Sequence, residues 1–408
     1  DEPFDATAQT LSLPDFVTIN NASDEEETIE VSWDTTTFIP GQIGEQIIYG
    51  SLINSDYVLE NPLSIKVNIF PYTFTLDEET QTYAINKYYG TSTKEVIPGT
   101  FKGLPVNKIK EKAFNEVLTL TELEIPTTIT TIEQGAIYLC DNIEQITIPF
   151  IGESLYVSTS DHNYHFGYIF GASTYNDNQS YTPRNLKEVF ILDGIKEIES
   201  YSFINCVTLT NVYLPNTLTT ISYNAFENCI QLQSISIPSS VSLINGNAFK
   251  NCNSLTDVTL KGNYINIKYD VFRGCTNLKN VYFDGTIEQW CALDFGTIFS
   301  SPMYYAPNFY MKDNNNQYSL ITEIVIPENI TEIKFSQFLG FSQLTKVTLS
   351  SELVAIHQYG FSGCSNLNNI TIPTKVALID DYAFENCTNL SSIDMKSTRL
   401  TDIGMRAF

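Results

Sequence analysis

Residues able to do chemistry are few in this 408-residue chain. His162 and His165, with Asp161, form its close histidine–carboxylate group. An i, i+3 histidine pair could hold a metal, but nothing supplies a third ligand, and loop histidines making ordinary hydrogen bonds are expected. Asp24-Glu25-Glu26-Glu27 could attract calcium, yet it lacks the alternating oxygen ligands and glycine turn of a calcium loop and reads as solvated. Asp313-Asn314-Asn315-Asn316 reads as a turn. The sequence holds 3 histidines and no G-x-S-x-G, P-loop, H-E-x-x-H or dinucleotide fingerprint. The reading is a non-enzyme, with no catalytic residues, no metal site and no cofactor.

The 8 cysteines lie in a pattern that explains them differently. Cys206, Cys229, Cys252 and Cys275 are 23 residues apart, as are Cys364 and Cys387, and Cys140 shares their register. Val117, Pro183, Tyr318 and Phe341 continue the same column. Apolar substitutes argue against disulfides or a metal framework, so a reduced, buried small hydrophobe is expected. Cys291 stands outside the column and is expected beside Trp290.

The element that positions these residues is a repeat. Leu120, Ile143, Leu186, Leu209, Leu232, Leu255, Leu278, Ile321, Leu344, Leu367 and Leu390 open segments such as LTELEIP, LQSISIP and LSSIDMK. Their steps are 23 residues, except for two of 43. A fixed period of this length with an L-x-x-V/I-x-I/L core marks a leucine-rich repeat solenoid. Each unit carries an inward-alternating strand, a proline-marked turn, a short piece ending in isoleucine (Ile221, Ile244, Ile267) and a helical turn anchored by phenylalanine (Phe226, Phe249, Phe272). Asn or Gly precedes most cysteines, as suits a left-handed residue ending a short helix.

The sheet's outward column is mostly Thr and Ser, with Phe190, Tyr213 and Tyr282 as exceptions. Both long steps contain 20 extra residues, within 150–185 and 284–320, and both are dense in aromatics. Insertions in a solenoid map to loops on one face. Tyr164, Tyr168 and Tyr175 in the first, and Trp290, Tyr304 and Tyr305 in the second, are therefore candidate contact residues beside the sheet-face three.

Asp and Glu total 47 against 22 Lys and Arg, a net charge of −25. That opposes nucleic acid and anionic membrane surfaces. No apolar run reaches the 18 or so residues of a membrane helix. The chain opens with Asp1 and reads as a mature or trimmed segment.

Residues 1–71 carry no repeat but alternate in strand fashion around Ile29, Val31, Trp33 and Leu63, Ile65, Val67. The stretch from IEVSWDTTTF to NPLSIKVNI resembles bacterial immunoglobulin-like modules, which implies a small β-sandwich. Residues 72–118 are read as the N-terminal cap of the solenoid and 119–408 as the array. The units SYNAFENCIQLQSISIPSSVSLI and DDYAFENCTNLSSIDM, with the entry segment VIPGTFKGLPVNKIKEKAF, resemble the BspA-type leucine-rich repeat of bacterial surface proteins. The resemblance implies a right-handed, mainly β solenoid with a parallel sheet, located outside the cell on the bacterial surface. It also implies adhesion to host matrix proteins such as fibronectin and fibrinogen, and it brings no catalytic residues.

The leading expectation is a monomeric surface adhesion or recognition protein that binds a protein partner, for example a host matrix protein, through the sheet face and inserted loops. That reading requires a broad, open aromatic patch with a polar rim. A carbohydrate-binding module is the alternative and requires a narrow groove with coplanar rings flanked by Asp or Asn. A structural spacer requires that all loop aromatics be buried. At the C-terminus, Ile403 and Phe408 fall near the spacing of Ile379 and Phe384, so 397–408 is expected to act as a lid.

Overall fold

The computed structural model describes residues 1–20, 25–53, 56–155, 163–262, 264–313, 315–396 and 399–408. Alternation in each repeat sets its strand. In Glu188–Ile191, Val189 and Ile191 are buried while Glu188 and Phe190 face outward. Equivalent residues then stack one coil apart, with Val189 opposite Val212 and Phe190 opposite Tyr213. Repetition builds a ten-stranded sheet running from Lys94–Val96 to Asn308–Lys312 in parallel, closed by the antiparallel strand Tyr318–Leu320. The isoleucine column forms short two-residue strands on another side of the coil, such as Thr220–Ile221 and Leu243–Ile244. The chain is mainly β, a solenoid of 23-residue coils with few helices.

Between the two strand series lies one continuous core. Phe203, Phe226, Phe249 and Phe272 stack face to face at 5.1, 5.2 and 5.7 Å, within 3 to 7° of parallel. Five of the seven buried cysteines also donate to a main-chain carbonyl of the preceding coil. The Cys229 thiol donates to the Phe203 carbonyl at 3.1 Å, Cys252 to Phe226 and Cys275 to Phe249 at 3.2 Å. All eight cysteines are free and seven are buried, and Cys387 is half-buried. Tyr318 departs from the column assigned to it: it sits on the closing hairpin and is exposed.

The helical turns contain two left-handed residues each. Asn205, Asn228 and Asn251 adopt φ near +60° before their cysteines, as the sequence pattern requires. A second column, Tyr201, Asn224, Asn247, Asp270, Tyr359 and Tyr382, also has φ between 56 and 65°. Its members other than Asn and Asp are unusual there.

The two insertions differ from the expectation of loops. The first makes one enlarged coil, for Ile146 pairs directly with Val189. Its turn Phe166–Phe170 takes the place of a repeat's helical turn, with Phe166 against Phe203 at 4.9 Å. The second is largely an additional coil. Val281 pairs in parallel with Phe309, 28 residues on, and Ile267 pairs with Phe295. The Asn308–Lys312 and Tyr318–Leu320 hairpin then ends the long sheet, and a new parallel series starts at Glu323–Val325.

Ahead of the array, Phe16–Asn20, Glu26–Asp34, Gly44–Leu52 and Leu63–Ile69 form an antiparallel sheet in chain order. Residues 1–15 cross it, and Ala6 joins Phe38, Ile48, Val67 and Ile69 in a small separate core. Contacts tie this part to the next. Phe4 stacks on Tyr89 at 4.2 Å, and Glu2 pairs with Lys102 at 2.7 Å. The hairpin Tyr72–Asp77 and Thr82–Tyr88 follows at once and pairs with Leu104–Ile109, forming with Thr131–Ile132 a sheet separate from that of Thr220–Ile221.

Candidate functional site

Side chains on the outward face of the long sheet stand one coil apart, about 4.8 Å, and that spacing matches ring stacking. Phe190 and Tyr213 stack at 4.1 Å with planes 10° apart. Tyr282 stacks on Tyr310 at 5.0 Å and 18°, while Tyr318 meets Tyr282 edge-on at 4.9 Å. Tyr213 is 45% exposed, whereas Phe190, Tyr282 and Tyr310 are half-buried because their neighbours cover a face. Ser236 and Thr259 occupy the two strands between the pairs. Tyr213 and Tyr282 therefore stand three strand steps apart, about 14 Å.

A second outward column runs beside the rings and is polar. Asn211 donates to Glu188 at 3.4 Å, and the Ser234 hydroxyl donates to the Asn211 amide oxygen at 3.1 Å. Asn280 donates to Asp257 at 2.9 Å and Asn308 to Asn280 at 3.1 Å. These bonds hold the amides in fixed orientations. Burial and the Glu188 carboxylate push the Tyr213 phenol up, and burial and Asp257 do the same for Tyr282. Both rings stay neutral across physiological pH. The Tyr318 phenol donates to Asp284 at 2.9 Å, and Lys312 pairs with the same carboxylate at 2.8 Å.

The inserted aromatics divide sharply. Trp290 is 0% exposed and Tyr168 is 8% exposed, so neither is a contact residue. Trp290 packs among Phe283, Phe295, Phe309 and Phe341 because the second insertion is itself a coil with a core to fill. Tyr175 is half-buried and stacks on Tyr201 at 4.6 Å. Half-buried Tyr305 accepts the Gly274 N–H on its hydroxyl at 3.0 Å, and Tyr304, 40% exposed, leans edge-on against it. Tyr164 lines a cavity of about 270 Å³ with Phe150, Ile151, Ile195, Glu197 and Glu199. Burial and then the Glu197 charge push the Glu199 carboxyl up there.

His165 is buried, with Nδ1 2.9 Å from Asn178 Oδ1, so it is a bonded core residue. His162 and Asp161 lie outside the described residues, as does Asp24. Among the described residues no three His, Cys, Asp or Glu side chains converge as metal ligands. Buried Asn178 accepts the Gly167 N–H at 2.9 Å and donates to Ser202 and Ile204 carbonyls. Nothing in its sequence neighbourhood distinguishes it. Tyr310 was missed because the coil that carries it opens with Ala306 where others have leucine.

No described helix is long and apolar enough to cross a membrane. The sequence matches no curated protein. Among solved structures it is similar to a leucine-rich repeat protein of Bacteroides ovatus, at 19% identity over 86% of this chain and 91% of that one, TM-score 0.33. It is similar to a T. pallidum leucine-rich repeat protein at 23% identity, over 53% and 83%, TM-score 0.29. A leucine-rich cell surface protein of Faecalibacterium prausnitzii is 20% identical over 82% and 97%, TM-score 0.27. The BspA type leucine-rich repeat region matches in 6 copies, over residues 100–160, 174–295 and 311–408. With well over half of its length so matched, the chain belongs to the BspA-type leucine-rich repeat family.

Proposed function

We propose that this chain is a bacterial cell-surface recognition protein that binds a protein partner on the outward face of its long sheet. The observation that carries the reading is the pair of ring stacks, Phe190–Tyr213 and Tyr282–Tyr310, held on a rigid parallel sheet among bonded Asn, Ser and Asp side chains. Aromatic anchors in a polar surround are what protein interfaces concentrate their energy on. Nine strand steps span about 43 Å, enough for a standard interface. Because strand pairing fixes the rings beforehand, little ordering entropy opposes binding.

Family membership supports a surface location and an adhesive role toward host matrix proteins. The test is biolayer interferometry of the chain against fibronectin, fibrinogen and other matrix proteins. A binder should lose at least tenfold affinity with Tyr213→Ala and with Tyr282→Ala, and little with Tyr359→Ala, which lies on the helical-turn side. A partner whose affinity ignores both sheet-face changes would sink the proposal.

A further inference from the structure

Beside Tyr213 the sheet face dips into a slot of about 150 Å³ lined by Asn211, Tyr213, Ser234, Ser236, Pro238 and Lys261. One wall is a ring. Phe190 covers one face of Tyr213 at 4.1 Å, so its other face looks along the sheet toward the strand Ser234–Ile237, over which the slot lies. Polar groups surround that ring face. The Asn211 amide is oriented by Glu188 and Ser234. Among the described residues, Ser236 makes no side-chain hydrogen bond, and no carboxylate lies within ion-pair distance of the Lys261 ammonium. Lys261 offers three N–H donors, and the serines and the amide both donate and accept.

We propose that this slot binds one neutral pyranose ring, free or at the end of a glycan. A sugar ring has an apolar C–H face matched to the Tyr213 ring, and a rim of hydroxyls matched to Asn211, Ser234, Ser236 and Lys261. The slot's volume is of the order of a single such ring. Charge decides between neutral and acidic sugars: the net charge of −25 and the Glu188 carboxylate beside the Tyr213 hydroxyl oppose an anion, and one lysine does not reverse that field. The same field opposes a nucleotide, whose base would stack equally well. The proposal rests on the sheet face being the recognition surface, but it concerns a ligand class that a protein partner does not require.

The experiment is saturation-transfer NMR and calorimetry of the whole chain with methyl glucoside, methyl galactoside, methyl mannoside and N-acetylglucosamine. Glucuronate is the charged probe and N-acetyltyrosinamide the aromatic non-sugar probe. At least one neutral hexoside should bind with a Kd of about 1 mM. Tyr213→Ala should weaken it at least tenfold, and Ser236→Leu, which fills the slot and keeps both rings of the Phe190–Tyr213 stack, should abolish it. Tyr359→Ala should leave it unchanged. No saturable binding of any neutral hexoside, binding of glucuronate or the tyrosine amide alone, or hexoside binding that survives both slot variants would each overturn the proposal. If matrix-protein binding persists through Tyr213 while hexosides fail, only this inference falls. If hexosides bind and no protein does, the partner-protein reading falls instead.

Discussion

The Trp290 indole N–H donates to the main-chain carbonyl of Gln337 at 2.8 Å, and the Gln337 side-chain amide donates back to the carbonyl of Trp290. This exchange crosses the break between the two parallel strand series. Trp290 also contacts Phe309 on the earlier side and Phe341 on the later. One residue of the second insertion thus continues the core where the sheet is interrupted.

Trp290→Ala should therefore cost about 3–5 kcal/mol, as large aromatic truncations in a core do. Gln337→Ala keeps the indole's acceptor and leaves the Trp290 carbonyl the Leu293 N–H, so only one hydrogen bond is lost and about 1 kcal/mol is expected. Urea unfolding of both variants checks this. Loss of the single transition in Trp290→Ala would show that the two series unfold separately once uncoupled. A Trp290→Ala midpoint equal to wild type would remove the splice argument.

Much of this was legible in the sequence, and the exceptions have one cause. Columns of like residues, such as Ile221, Ile244 and Ile267, reveal a coil because neighbours must be the same shape to stack. Where the coil is 28 residues long and fills its positions with Ala306, Phe309 and Met311, the period vanishes although the strand pairing continues. Trp290 reads as a surface residue for that reason, and Tyr168 does because the first insertion enlarges a single coil and interrupts the period there too. Phe190 and Tyr213 were legible because alternation in a strand fixes which side chains face out. Tyr310, Lys261 and Asn178 were not, since their roles depend on coils far away in sequence.

The buried thiols give the fold an alkaline limit. Burial pushes the Cys206 and Cys275 thiols up to about 12, and Cys229 and Cys252 well above their ordinary value. An unfolded chain releases these protons from about pH 8.5 while the folded chain retains them. The unfolded state then binds fewer protons, so stability falls as pH rises, by about 1.4 kcal/mol per unit and thiol. Urea midpoints should hold from pH 7 to 8 and drop steadily from about 9 to 11. Cys252→Ala should reduce that slope. A flat profile to pH 11 would contradict the buried-thiol column, as would a shortfall of free thiols on denaturation.

The N-terminal sheet should depend on its junction. Glu2 is buried; that burial opposes its ionisation, but Lys102 and the Ser12 N–H outweigh it and hold the carboxyl below its ordinary value. Its contribution is complete above about pH 4.3 and is lost as pH falls below that through the lowered value. Lys102→Met leaves an unpaired buried carboxylate and should cost about 2–3 kcal/mol. Limited proteolysis should then cleave within residues 1–71 faster than in the wild type, while 119–408 keeps its resistance. Unchanged cleavage would mean that Phe4 on Tyr89 alone secures the junction.

The segment 399–408 repeats the pattern of the coil before it. Ile403 pairs with Ile379, and Phe408 stacks on Phe384 at 5.3 Å, 1° from parallel. Ile379 and Phe384 are buried as a result, while Ile403, Met405 and Phe408 stay exposed. The segment thus covers its neighbour and is only half covered itself. Removing 399–408 would bare Ile379, Ala383 and Phe384 and unpair the strand Leu378–Ile379. Uncovered apolar surface at about 25 cal/mol per Å² and an open strand edge both destabilise and invite pairing with another molecule. The truncated chain should melt at a lower temperature and elute as larger species by light scattering, increasingly so with concentration. Phe408→Asp, which keeps the length and places a charge on the Phe384 stack, should lower the melting temperature in the same direction. A truncated chain that stays monomeric with an unchanged melting temperature would show that the segment covers nothing the fold needs.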